Sequence, residues 1–231
     1  MTGKTHRVGG MLSALVGYTI LQEKGLLING VNPLLQLTVM YPFSIYGSVV
    51  SDLDHHWKSS PSKDIVSYGI NKVLHLGTDV RKKQEKLGKK KVSPIVSVFD
   101  AKHRSWQTHS DVFLLLLVLG LIYLINSPSM VGANSIILQL VGTGLILGVI
   151  SHLFLDMLTP EGIWSLILLP FGKKKKGKKE APKIHLVPNS SFFATGGQWE
   201  TAVRWVMWFI SVLLLIRLIY YMQPYRFDFS M

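Results

Sequence analysis

The chain has no cysteine among its 231 residues. A disulfide framework and a thiolate zinc site are therefore both excluded. Any metal must be held by His, Asp, Glu or backbone oxygen. Charge is scarce as well: Asp, Glu, Lys and Arg make up 16% of the chain, against roughly a quarter in a typical soluble domain. Apolar residues reach 48% and mean hydropathy is +0.31. This composition excludes a disordered chain, a coiled coil and a collagen-like rod, and argues against an ordinary soluble enzyme. No internal repeat is visible. The start, MTGKTHRVGG, lacks a signal-peptide pattern, because its apolar stretch breaks early and no small-residue cleavage site follows.

The charge that exists is unevenly placed. The net charge is +12. Arg81 to Lys91 and Lys173 to Lys183 each hold seven basic residues and one acid, so these two loops account for the whole excess. The high pI reports two loops, not a basic domain surface. The bland reading of both runs is topogenic and lipid-facing, and anionic lipid is the expected partner there. Nucleic-acid binding has no aromatic or motif support.

Five segments are apolar enough to enter a bilayer. Val112 to Ile125 contains no polar side chain except the Tyr123 hydroxyl, and nears span length with its flanks. Ile136 to Leu158 is longer, with His152 and Asp156 near its end. Residues 201–222 form a C-terminal span with Trp205, Trp208, Tyr220 and Tyr221 toward its ends, as interfacial aromatics are placed. Val8 to Leu21 and Leu26 to Val50 read as a helical hairpin bending near residues 22–33. Ile65 to Leu76 reads as a short amphipathic helix. The expected fold is all-α: one polytopic helical bundle over residues 1–231 with about 4–5 membrane segments, and lysine-rich loops at 57–100 and 172–198. The positive-inside rule puts both lysine runs and the N-terminus in the cytoplasm.

On that topology the ionisable residues collect at one membrane face. His6 precedes the first arm, Asp52 and Asp54 with His55 and His56 follow the second, and His103, Arg104 and His109 precede the third segment. His152 and Asp156 end the fourth. The last two are four apart, on one face of a helix, where they can share a metal. Asp52 and Asp54 project the same way if locally extended, as paired carboxylates do around a divalent cation. Each has a bland reading beside the functional one. His6 is an ordinary near-terminal surface residue; Asp52 and Asp54 cap a helix or face water; Asp156 pairs with a lysine. Ser110 and Asp111 read as the N-cap and first turn of the third segment.

Taken in order, His6, Asp52-x-Asp54-His55, His103-Arg104-x3-Thr108-His109-Ser110 and His152-x3-Asp156-x2-Thr159-x2-Gly162 resemble the YdjM-like family of bacterial membrane-bound metal-dependent hydrolases, named for LexA-regulated members. Thr195-Gly196-Gly197 with Glu200 looks like a further family feature. Ser105 stands where the family often has glycine, and the loop from Trp57 to Phe99 is long for the family. More distantly, the His/Asp set is similar to that of zinc-dependent phospholipase C and P1-type nuclease, and the phosphoester enters through that likeness.

The resemblance implies a divalent-metal site at the cytoplasmic end of the bundle, zinc favoured over manganese or magnesium, with one or two ions. Its ligands would come from His6, Asp52, Asp54, His103, His109, His152 and Asp156. Asp54 or Asp52 would orient or deprotonate the water and Arg104 would grip a phosphate oxygen. Glu200 reads equally as a further ligand or a lysine partner, and His185 as a weaker candidate. The expected substrate is a small-molecule or lipid phosphoester at headgroup depth in the inner membrane. The rival is a non-catalytic membrane protein with a structural or regulatory metal site. Transport is disfavoured, since the ionisable residues gather at one end and the halves do not match. Oligomeric state is left open.

Overall fold

The computed structural model describes residues 1–54, 65–76, 78, 80, 108–127, 132–165, 167–168, 174–175, 178–179, 182–186 and 195–221. Six helices carry the described chain: α1 (Gly3–Glu23), α2 (Pro33–Val50), α3 (Ile65–Leu74), α4 (Asp111–Ile125), α5 (Ala133–Met157) and α6 (Gln198–Tyr221). The all-α membrane bundle is what the apolar runs dictate. The chain divides into two compact units, the first of Met1–Ser48, Leu114–Gly162 and His185–Met231, the second of Val49–Phe113 and Ile163–Ile184.

In the first unit, α1 and α2 form the expected hairpin. Gly25 and Gly30 adopt positive φ in the bend, a conformation that glycine takes without steric cost. Asn32 Oδ1 accepts from the Leu34 and Leu35 amides, and Pro33 takes the first helical position, so α2 starts with an N-cap followed by a proline that loses nothing there. Buried Gln36 ties the bend down, donating to the Ile28 and Val31 carbonyls and accepting from the Ile28 amide. Tyr18 donates its hydroxyl to the Pro33 carbonyl at 3.0 Å. Leu15, Tyr18, Leu37, Met40, Leu140 and Leu218 make the core, drawn from α1, α2, α5 and α6.

Small residues let these helices approach closely, as is common between membrane helices. A Cβ at Gly148 would collide with the Ser44 carbonyl, and one at Gly47 with the Leu145 carbonyl. Ser13 Oγ reaches the Leu147 carbonyl of α5 at 3.1 Å and the Ser44 hydroxyl of α2 at 3.1 Å. These contacts run α2 and α5 antiparallel to α1. By contrast, α6 runs parallel to α1: Thr2 and Thr5 meet Glu200 at one end, and Glu23 meets Arg217 at 3.3 Å at the other.

Among the described residues, three helical segments are long and apolar enough to cross a membrane: Pro33–Leu53, Asn134–Met157 and Gln198–Tyr221. The expected span from Val112 is a shorter apolar helix of 15 residues. Its length is about 22 Å at 1.5 Å per residue, under the roughly 30 Å of a hydrocarbon core. The hydropathy of α1 does not mark it as a span, yet it lies alongside α6 from end to end and so shares its depth. Trp205, Trp208, Phe209, Ile216 and Tyr220 project from α6 uncovered by protein, as a lipid-facing helix requires.

The second unit is built around polar turns. A 3-10 turn over Ser51–Asp54 follows α2, and its buried Leu53 is held by the Asn71 side chain of α3, which donates to the Leu53 carbonyl. The expected amphipathic helix at 65–76 is therefore present as α3. Ser110 Oγ accepts from the Phe113 amide at 3.2 Å, the N-cap expected of it, and Asp111 opens the first turn of α4. Asp111 Oδ2 also accepts from Ser165 Oγ at 2.6 Å. Four two-residue strands, unexpected from the sequence, complete the unit. β1 (Ile163–Trp164) pairs antiparallel with β4 (Lys183–Ile184), and β2 (Lys174–Lys175) with β3 (Lys178–Lys179). The second lysine run thus includes an antiparallel strand pair, while the first lies outside the described residues.

Candidate metal centre

The first unit brings His6, His152 and Asp156 together. His6 sits on the first turns of α1, and His152 and Asp156 on the last turns of α5. His152 Nε2 is 3.3 Å from Asp156 Oδ2, and His6 Nε2 is 3.5 Å from Asp156 Oδ1. The two imidazoles stack with centroids 3.9 Å apart at 21°. All three side chains are buried, with relative exposures of 0 to 1%. The i, i+4 spacing read from the sequence therefore puts His152 and Asp156 on one face as expected, and His6 is not the surface residue of its bland reading.

Proton placement decides what this cluster can do. His152 Nδ1 lies 2.7 Å from the Ser48 carbonyl oxygen. A carbonyl only accepts, so Nδ1 carries the hydrogen. In the neutral ring Nε2 then bears a lone pair, and that lone pair faces a carboxylate oxygen. Two acceptors hold this geometry only with a cation or a proton between them. A ring nitrogen anchored to a backbone carbonyl while the other is aimed inward is the arrangement that orients metal-ligating histidines.

The second unit repeats the pattern. His109 Nε2 is 3.6 Å from Asp52 Oδ1, and both residues are buried. The other ring nitrogen, Nδ1, is 3.0 Å from the Thr108 hydroxyl. The Trp164 amide of β1 donates to the His109 carbonyl at 3.0 Å and fixes the backbone there. The Thr108-His109-Ser110 triplet therefore divides its labour: Thr108 contacts the ring, His109 faces Asp52, and Ser110 caps α4. These buried His and Asp groups have the donor atoms to hold a metal ion. Imidazole nitrogen with carboxylate oxygen is a donor set that zinc accepts, and no sulfur is needed.

Over residues 1–227 the chain matches the family described as YdjM inner membrane protein. The chain belongs to the YdjM family. Neither the curated proteins nor the solved structures contain a match. Within this YdjM chain the motif residues Thr159 and Gly162 acquire structural reasons. Thr159 donates its hydroxyl to the Asp156 carbonyl at 2.8 Å, closing the end of α5. Gly162 follows with a φ of 61° and donates its amide to the Thr159 carbonyl.

Among the described residues, Glu200 is neither a further donor to the cluster nor a lysine partner. Its buried carboxylate accepts from the Thr2 amide, the Thr2 hydroxyl, the Thr5 hydroxyl and the Gly196 amide at 2.5 to 2.6 Å. Sequence reasoning missed Thr2 and Thr5; their i, i+3 spacing immediately before His6 was the available signal. The Ser48 carbonyl had none, since any residue supplies a carbonyl. His185 is exposed, with Nδ1 3.4 Å from the Thr159 carbonyl. The side chain of Asp54, together with His55, His56, His103 and Arg104, lies outside the described residues.

Proposed function

We propose that this YdjM-family protein is a membrane-bound metal-dependent hydrolase acting on phosphoesters, with a phospholipid-like substrate favoured. The observation that carries the reading is the His152 ring, anchored through Nδ1 at Ser48 and presenting Nε2 to the Asp156 carboxylate. In this reading His6, His152 and Asp156 are the metal ligands of the first unit, and Asp52, Asp54, His103 and His109 those of the second.

A divalent cation bound there would supply a water with its pKa lowered from 15.7 toward roughly 7. The chain's own residues would do the rest. Asp54 or Asp52 would orient that water or take its proton. Arg104 would hold two oxygens of a phosphate, since a guanidinium matches them bidentately. The apolar helices around the centre would present it at headgroup depth, and the lysine-rich loops would concentrate anionic lipid nearby.

A second reading is a structural or regulatory metal that holds the helices together. The near-complete burial of His6, His152 and Asp156 favours it, because a structural site is closed by protein donors while a catalytic one keeps a position open. Metal analysis of purified wild type beside Asp52→Ala and His152→Ala tests both readings. Equal trace metal in all three sinks the centre. Metal lost in the variants, followed by turnover of a phosphodiester or phosphomonoester in lipid micelles by wild type, supports the hydrolase. Metal retained by wild type without turnover of any ester supports the structural alternative.

A further inference from the structure

The geometry points to Glu200 as a positioning residue that holds the first turn of α1 and thereby sets the His6 ring against His152. It has no hand in the chemistry. Four donors converge on one buried carboxylate, and they come from two helix ends. Glu200 sits in the first turn of α6. Its Oε2 accepts from Gly196, just before that helix, in the manner of the glutamate half of a capping box. Gly196 reaches that position with a φ of 82°, which explains a glycine in Thr195-Gly196-Gly197. Its Oε1 accepts from Thr2 and Thr5 at the start of α1.

Thr2 is the N-cap of α1, yet its side chain caps nothing on its own helix. Glu200 supplies the anion in its place. Because α1 and α6 run parallel, their positive ends lie side by side, each equivalent to about half a charge. One carboxylate between them compensates both. Any rotation of α1 breaks these bonds, since the threonine hydroxyls are a full side chain off the axis. Each residue advances about 100° around a helix. With Thr5 turned to Glu200, the next residue, His6, is turned to His152, where it stacks at 3.9 Å. The position of His6 is therefore set through α6, a helix that contributes no donor to the cluster, together with the Met1 ammonium that lies 3.4 Å from Asp156.

The claim about the His6 ring stands apart from the metal; its consequence for cation affinity rests on the proposed centre. The test uses the full chain in detergent micelles with 15N-labelled histidine. His6 ring signals are assigned by His6→Gln and read with EDTA present, with zinc affinity then read by chelator competition. Glu200→Gln keeps the shape but turns an amide donor toward donors. Thr5→Val removes one hydroxyl, and Thr5→Ser restores it. Expected are shifted His6 ring signals in Glu200→Gln and Thr5→Val, unshifted His75 signals, wild-type spectra in Thr5→Ser, and zinc affinity at least tenfold weaker in the first two. Wild-type His6 signals in both Glu200→Gln and Thr5→Val would overturn the role, and so would loss of fold in both, which would make Glu200 a folding determinant only. If wild type binds no zinc, the proposed centre fails while the ring signals still decide about Glu200.

Discussion

His152 and Asp156 stand one helical turn apart with Nε2 3.3 Å from Oδ2, and the Ser48 carbonyl holds the opposite ring nitrogen at 2.7 Å. In the neutral ring a lone pair thus faces a buried carboxylate, whose Oδ1 lies 3.4 Å from the Met1 ammonium. Removing either partner removes the reason for a cation to be there. Asp156→Asn keeps the volume and loses the charge. Its expected metal content, by plasma mass spectrometry, is under a fifth of wild type, with helical content by circular dichroism unchanged. Wild-type metal content in Asp156→Asn would place the cation elsewhere.

Metal removal should act on stability through the same residues. A ligand that binds only the folded state stabilises by about 2.7 kcal/mol at a hundred times its dissociation constant. Zinc should therefore raise the thermal midpoint of EDTA-treated wild type by several degrees. His152→Ala should show no such rise, since it lacks the Nε2 that faces Asp156. The comparison is made by tryptophan fluorescence in one detergent, and an equal rise in both proteins would mean non-specific zinc binding.

Much of this was legible in the residues, for identifiable reasons. The hairpin bend was readable because Asn32-Pro33 and the glycines are local signals that need no tertiary context. His152 and Asp156 were readable because i, i+4 geometry is a property of any helix. The roles of Ser48 and Glu200 were not. One acts through a backbone carbonyl, which carries no sequence signature, and the other through donors almost the whole chain away. The short strands around Trp164 and Lys183 escaped because two-residue segments show no periodicity, and the Trp164 ring with Lys183 Nζ 4.8 Å from its centroid is a tertiary contact. The shortness of α4 escaped because its polar flanks, Ser110-Asp111 and Asn126-Ser127, were counted toward a span.

Helix contacts beside the cluster should prove intolerant of a single methyl group. At Gly148 an added Cβ would strike the Ser44 carbonyl and the Ser48 amide. Overpacking of this kind costs about 1–3 kcal/mol. Gly148→Ala should lower the thermal midpoint and also weaken zinc binding, since pushing α2 away moves the Ser48 carbonyl off His152. At Gly120 a Cβ meets nothing within 4 Å. Gly120→Ala should leave both properties unchanged. Equal behaviour of the two variants would refute the close packing of α2 against α5.

The start of α4 offers a separate test, one that turns on helix capping. Ser110 Oγ accepts from the Phe113 amide, and Asp111 Oδ2 accepts from Ser165. Loss of an N-cap serine costs about 1 kcal/mol. Ser110→Ala is expected to lower the denaturation midpoint by that amount and Ser110→Asp to restore it. If alanine costs nothing, the cap is not part of the folded state's stability.

Sidedness is the expectation on which the biology of the site turns, and the absence of cysteine makes it easy to measure. Both lysine runs flank apolar segments, and the positive-inside rule would keep them in the cytoplasm. In the first unit the N-terminal ends of α1 and α6 and the C-terminal end of α5 meet at one end of the bundle, where Glu200, His6 and His152 lie. That end should face the cytoplasm. Single substitutions Lys90→Cys, Lys176→Cys and Ser129→Cys each create the only thiol in the chain. In intact cells a membrane-impermeant maleimide should label Ser129→Cys alone, and all three after permeabilisation. Labelling of Lys90→Cys and Lys176→Cys in intact cells, with Ser129→Cys protected, would turn the bundle over and put the histidines on the outer face, where a cytoplasmic substrate could not reach them.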